Sequence, residues 1–255
     1  MRLTRQSQPT SESAMRCLFD QFDQVKIINL PERTDRKAAV LAELSRIGFD
    51  EFGPRISFFE ARRPPSPEQA PSGAARPNGA LISHREAIRE ALAAGANSLL
   101  VLEDDIFFRS PTVAELDRIL EAVTRNAWDV IYFGYLEPAE NQLAGAALSE
   151  WSGRVIGGHF CGMNRRFMEQ ILEFMDGFGS PGADGVIVNP THRDGAFNLF
   201  IEKNPDFRRL LAVPNLAIQR SSRTDLHQNR FYDQTPVFRE IAGTIRAMRN
   251  RLRRR

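Results

Sequence analysis

The sequence predicts an α/β fold: one domain on a mostly parallel, Rossmann-type sheet with helices on both faces. Three observations predict it. Strand and helix signals alternate from residue 25 to residue 134. The run Ser98-Leu99-Leu100-Val101-Leu102 is continuously apolar, as a strand covered on both faces requires. The 255 residues are 42% hydrophobic and 26% charged, enough for a substantial core. That length suits one large domain or two small ones. The domain is expected at 25–235, between a flexible segment at 1–24 and a basic amphipathic helix at 236–255.

Residues 1–24 read as a poorly ordered lead-in, because the stretch Gln6 to Ser13 has nothing to bury. Val25-Lys26-Ile27-Ile28-Asn29-Leu30 is the first strand, and Pro31 stops it. Thr34 or Asp35 caps a helix to about Ile47, with Ala39, Leu41, Leu44 and Ile47 at helical spacing and Gly48 beyond its end. Ile56 to Phe59 is a second strand, and the Pro-, Ser- and Ala-rich stretch from Arg62 to Asn78 is an exposed loop. Ser83 is expected as an N-cap, with Glu86 completing a capping box for a helix from His84 to about Ala94. The strand at 98–102 ends abruptly in Glu103-Asp104-Asp105. A helix over 112–126 and the strand Asp129 to Gly134 follow.

The second half is less regular. Residues 136–153 read as loop with a short edge hairpin, Gly157 to Met163 as a strand, and Arg165 to Met175 as a helix. A loop over Gly177 to Thr191 leads to a helix from Asp194 to Lys203. Leu211 to Pro214 and Leu216 to Gln219 make a Pro-interrupted, edge-like strand.

Composition excludes several classes. No apolar run approaches the roughly 18–20 residues that span a bilayer. Residues 1–24 lack the apolar core of a secretory signal, and Cys17 and Cys161 form neither a zinc cluster nor a disulfide framework. A cytoplasmic setting is therefore expected. No Walker A loop, Gly-x-Gly-x-x-Gly fingerprint or Gly-x-Ser-x-Gly elbow occurs.

Four clusters can carry chemistry. Glu103-Asp104-Asp105 places three mutually repelling carboxylates at a strand's carboxyl end, where ligands bind in open α/β sheets. A divalent cation shared with a diphosphate relieves that repulsion; the alternative is a solvated acidic turn. Asn29 with Arg33 and Arg36 lies at a strand end and helix start suited to phosphate; the alternative is two surface arginines paired with Glu32 and Asp35. His192-Arg193-Asp194-Gly195 opens a helix, so Asp194 is either a cap or a general base at a cleft mouth. Gln219 through His227, with Ser222 and Asp225, is dense in groups that hydrogen-bond sugars or phosphates. Each of the four histidines more commonly satisfies a local hydrogen bond than binds metal.

Taken in order, these segments resemble glycosyltransferase family 25, the lipopolysaccharide-biosynthesis type. The likeness is carried by Ile27-Ile28-Asn29-Leu30 with Arg33 and Arg36, Gly79 to His84, Leu100 to Asp105, Asp129 to Gly134, Gly157 to Phe160, His192 to Gly195, and Pro214 to Asp225, spanning roughly 25–235. The resemblance implies a GT-A fold and transfer of a hexose, typically galactose, from a UDP-sugar to a glycan or lipid-linked acceptor. It implies Mn²⁺ or Mg²⁺ at Glu103 and Asp105, with Asp225 or His227 completing the shell. Asn29, Arg33, Arg36, Ser83, His84 and Asp104 then bind the nucleotide sugar. Asp194 acts as base if the enzyme inverts, and His192, Gln219, Ser222 and Asp225 meet the acceptor. The chain departs from the family at Ala80-Leu81-Ile82, at the Pro-rich 62–78 linker, and at Arg193, where an apolar residue is expected.

Two rivals remain. A haloacid-dehalogenase phosphatase wants Asp-x-Asp-x-Thr/Val, which Asp105-Ile106-Phe107-Phe108 does not supply. A degenerate nucleotide-sugar-binding protein of the same fold is not distinguished by sequence. The net charge of +2 conceals a basic tail: residues 239–255 hold seven Arg and one Glu, so the remainder is acidic. Ile241, Ile245, Met248 and Leu252 recur opposite those arginines, as in a helix lying on an anionic membrane; a solvated helix is the alternative. Lacking interleaved aromatics, the tail is not expected to bind nucleic acid.

Overall fold

A computed structural model describes residues 11–50, 52–64, 78–145, 147–178, 190 and 192–220. The first correction concerns the amino-terminal segment. Ser11–Phe19 forms helix α1, and Met15, Leu18, Phe19 and Phe22 are buried. These four apolar side chains follow the polar stretch that suggested disorder, and the sheet supplies the surface that covers them.

Strand β1 (Gln24–Asn29) leads into α2 (Thr34–Arg46) and β2 (Ile56–Glu60). Helix α3 (Gly79–Ala93) precedes β3 (Ser98–Glu103), a two-residue turn and the short β4 (Ile106–Phe108). Helix α4 (Val113–Arg125), capped by a Thr112–Glu115 box, leads to β5 (Val130–Gly134). Then come β6 (Ala147–Glu150), β7 (Phe160–Asn164), α5 (Arg165–Asp176), α6 (Arg193–Lys203), β8 (Arg209–Val213) and β9 (Ala217–Gln219).

The strands form a nine-stranded sheet in the order β2-β1-β3-β7-β5-β8-β6, with β9 joining β5 and β4 joining β9. The pairings make β1, β2, β3, β5, β8 and β9 run one way and β4, β6 and β7 the other. The sheet is thus mostly parallel in strand direction, with the reversed β7 at its centre. Two sequence expectations are corrected here. The strand expected from Gly157 starts only at Phe160, and β8 is not an edge but lies between β5 and β6. Its second neighbour is the short strand at 147–150, which itself occupies the edge expected of the 136–153 region.

The start of α3 also differs from the expectation. Asn78, not Ser83, is the N-cap of α3 and accepts from the Leu81 N–H at 2.8 Å. Ser83 lies one turn inside, where its hydroxyl donates to the Gly79 carbonyl and accepts from the Arg62 N–H. The Ser/Glu spacing resembled a capping box, but Asn is an equally strong cap and Gly79 to Ile82 already take helical geometry.

Period-two alternation sorts the core into two layers. Leu100 and Leu102 face α1, α2 and α4, with Phe19, Phe22, Leu44 and Ile119. Leu99 and Val101 face α3, α5 and α6, with Ile88, Phe167, Phe197 and Phe200. The phenylalanine excess, 18 against 3 Tyr and 2 Trp, fills both layers. Phe133 and Phe160 pack at 5.3 Å in the first, Phe200 and Phe207 at 4.9 Å in the second. Backbone approach is tight at Gly162, where an added Cβ would lie 2.4 Å from the Phe22 ring. Among the described residues, no helix is long and apolar enough to cross a membrane.

Candidate functional site

The acidic triplet sits where β3 ends, and the same alternation divides it. Glu103 continues the Leu99–Val101 row toward α3 and α6. Asp104 falls on the opposite side, toward α2. Glu103 and Asp104 therefore face opposite sides of the sheet, and Asp105 lies with Asp104 in the turn beyond the strand.

On the α2 side, Asp104 is buried and both its oxygens are engaged. Asn29, at the end of β1, donates from Nδ2 to Oδ2 at 2.8 Å, and Arg36 Nη1 donates to Oδ1 at 2.9 Å. Arg36 also lies 3.7 Å from Asp105. Arg33 makes the pairing of the alternative reading, though its own side chain is largely covered: its guanidinium forks onto exposed Asp35, whose carboxyl it pulls down to about 2. Glu32 pairs instead with Arg63.

Asp105 is 8% exposed. Its Oδ2 accepts from Gln219 Nε2 at 3.1 Å. Its Oδ1 is buried with no hydrogen-bond partner among the described residues. Burial, reinforced by the neighbouring Glu103 charge, pushes this carboxyl up to about 7 despite Arg36 nearby. An orphaned, desolvated carboxylate oxygen is costly to keep and calls for an explanation.

On the other side, Glu103 meets His84 from α3, with Nε2 3.3 Å from Oε1. Burial holds the His84 pKa well below its usual value, and the Arg193 cation adds to this, so the ring is neutral. Burial raises the Glu103 pKa, against the pull of Arg193 and with the push of Asp194. Glu103 keeps 27% of its side chain exposed and Asp194 keeps 29%, so both carboxylates reach solvent.

Asp194 is neither the N-cap, which is His192, nor a free group. Its Oδ2 accepts from the Gly157 N–H at 2.8 Å and its Oδ1 from Arg193 Nη1 at 2.7 Å. Burial alone would raise its pKa, but Arg193 and the Gly157 N–H outweigh that and hold it below the usual carboxylate range. His192 Nδ1 meets Asn78 Nδ2 at 2.7 Å on the surface.

Of the other expected residues, one is placed away from these carboxylates and the rest are not described. The Ser83 hydroxyl is buried and engaged by the Arg62 N–H and the Gly79 carbonyl. Ser222, Asp225, His227 and the 236–255 helix lie outside the described residues. Residues sequence reasoning passed over include His159, whose ring nitrogens contact the Gly157 and Ala217 carbonyls while its own carbonyl accepts from the Glu103 N–H. The signal was the Gly157-Gly158-His159 triplet, which reads as strand and carries part of the family likeness without a site role.

Among the described residues, no three His, Cys, Asp or Glu side chains converge as a metal site. Glu103 and Asp105, the latter with an oxygen that meets no partner among the described residues, are hard oxygen donors of the kind that could hold Mg²⁺ or Mn²⁺. Those ions use one or two carboxylates and leave other positions to water and phosphate.

No protein-family model matches the chain, and neither does any curated protein sequence. Solved structures that match include A197 from STIV, at 12% identity and TM-score 0.36, covering 81% of this chain and 98% of that one. Another is UDP-glucose pyrophosphorylase complexed with UDP-glucose, at 10% identity and TM-score 0.41, covering 79% and 76%. At these values neither neighbour assigns a role to any residue of this chain.

Proposed function

We propose that this protein is a metal-dependent hexosyltransferase. It moves a hexose, galactose by the family resemblance, from a UDP-sugar to a hydroxyl of a cell-surface glycan or lipopolysaccharide precursor. One observation carries the proposal: Asp105 is buried beside Glu103 with an oxygen that nothing in the described chain satisfies. A carboxylate left so in the free protein is supported best by a cationic ligand in the working state.

Glu103 and Asp105 would hold Mn²⁺ or Mg²⁺, with His227 as the third ligand. The chemistry such an ion supplies when bound is neutralisation of a leaving diphosphate, worth several kcal/mol. The chain's own residues do the rest. Arg36 and Asn29 fix Asp104 at the nucleotide side, and Arg33 reaches phosphate by leaving Asp35. His84 stays neutral and orients Glu103. Asp194, anionic and held at both oxygens, takes the proton from an acceptor hydroxyl aligned by the cleft. His192, Gln219, Ser222 and Asp225 border the acceptor. The basic 239–255 segment would hold the protein against an anionic membrane.

The experiment is a thermal-shift screen of nucleotide sugars with and without Mn²⁺. A UDP-hexose should raise Tm only when Mn²⁺ is present, and EDTA should reverse the shift. Shifts that ignore Mn²⁺, or that survive Glu103→Gln and Asp105→Asn, would overturn the proposal. The engagement of both Asp104 oxygens inside the chain favours a second reading, a nucleotide-sugar-binding protein without turnover. Mn²⁺-dependent uptake with no UDP released over hours would select it.

A further inference from the structure

The arginine that breaks the family pattern is the most enclosed cation in the molecule's candidate site. Arg193 is 3% exposed. Its guanidinium carbon lies 4.5 Å from the Phe197 ring centre and 5.5 Å from that of Tyr132. One branch, Nη1, donates to Asp194 Oδ1 at 2.7 Å, and the other, Nη2, reaches Cys161 Sγ at 2.9 Å. A guanidinium packed near two aromatic rings, with both terminal nitrogens engaged, has little freedom left to rotate, although its buried Nε meets no partner among the described residues. The chain makes room for it with glycine: a Cβ on Gly158 would stand 2.3 Å from Arg193 Nη1 and 2.4 Å from Tyr132.

Next to it, Gly157 has φ of 69°, a conformation that side chains rarely adopt. From there its N–H meets the other Asp194 oxygen. Two adjacent glycines therefore build the Asp194 seat from two directions. Gly158 admits the guanidinium, and Gly157 aims a backbone donor.

We propose that Arg193 is the positioning residue of this site, fixing the plane of the Asp194 carboxylate against Gly157 so that its free lone pairs face the acceptor. The inference rests on the proposed transferase reading and deepens it. An apolar residue at 193 would leave Asp194 held by one backbone bond and free to turn. A lysine would keep the charge but lack the fork and the planar stacking. Arg193 touches neither donor nor acceptor; it acts through Asp194.

The test compares the full chain with Arg193→Met, Arg193→Lys and Gly158→Ala. Carbon-13 NMR follows the Asp194 carboxyl, assigned with Asp194→Asn, and needs no substrate. Arg193→Met should raise its titration by about one pH unit or more, whereas Arg193→Lys should restore most of that shift. With an active UDP-sugar and Mn²⁺, all three variants should keep Kd within about threefold of wild type. In Arg193→Met, kcat should fall about 100-fold, as for a misplaced catalytic group. The acidic limb of its pH profile should move up with the Asp194 titration.

A purely structural Arg193 would lower Tm and leave both titration and pH limb in place, which would overturn the proposal. So would a kcat within threefold of wild type. Should Arg193→Met fail to fold, Arg193→Lys and Gly158→Ala read the same carboxyl. If the wild-type chain takes up no nucleotide sugar, the transferase reading fails. The Asp194 titration then still decides whether Arg193 sets that carboxylate.

Discussion

Replacing Asp105 with asparagine should stabilise the metal-free protein, and the gain should grow with pH. In the fold the carboxyl titrates near 7, against a usual 3.8. Between those values the folded chain keeps a proton that the unfolded chain has released, so stability falls as pH rises through the window. At 1.36 kcal/mol per pH unit, the loss is about 4 kcal/mol once pH exceeds 7 and less than half of that at pH 5. An asparagine has no charge to desolvate, and its carbonyl can still accept from Gln219. Asp105→Asn should therefore raise stability by up to about 4 kcal/mol at pH 8 and by well under half of that at pH 5. Urea denaturation at both pH values in EDTA measures this, and the same variant should lose any Mn²⁺-linked stabilisation by UDP-sugar. A loss of stability at pH 8, or a difference independent of pH, would refute the idea that this carboxylate is uncompensated in the free protein.

Three further outcomes follow from the same coordinates. Arg36→Met removes the partner of buried Asp104 and should destabilise by about 3–5 kcal/mol; a change under 1 kcal/mol in a denaturant melt would mean the pair is solvated. Phe22→Ala empties a fully buried site against Gly162 and Phe133. It should cost about 3–5 kcal/mol, and an unperturbed melt would restore the view of 1–24 as a loose leader. Asn78→Ala removes the cap of α3 and should cost about 1 kcal/mol, read by thermal denaturation with helix content followed by circular dichroism.

The layered α/β plan was legible because its signals are local. Leu99 to Leu102 and Val130 to Gly134 are apolar runs long enough to be strands, Val25 to Asn29 is rich in β-branched residues, and the helices at 34–46, 113–125 and 165–176 carry plain caps or periodicity. What was hidden depends on pairing. Nothing in Phe160 to Asn164 says that this strand inserts backwards between two parallel neighbours. Nor does Leu211, next to Pro214, reveal that its strand has partners on both sides. The helix at 11–19 was missed because its burial is supplied by Phe108, Leu116 and Phe160, far along the chain.

The site divides the same way. That Glu103-Asp104-Asp105 closes a buried strand, and that Asn29 and Arg36 stand at the end of another, is written in the residue order. Strand alternation by itself places Glu103 and Asp104 on opposite faces. Which partner each carboxylate finds could not be read so: Arg36 goes to Asp104 over 68 positions, and Gln219 to Asp105 over 114. Sequence fixed local geometry because backbone preference and hydrophobic period act over a few residues. Protonation, orphaned atoms and the aim of Asp194 depend on burial and on charges brought from distant segments, and those exist only once the chain has closed on itself.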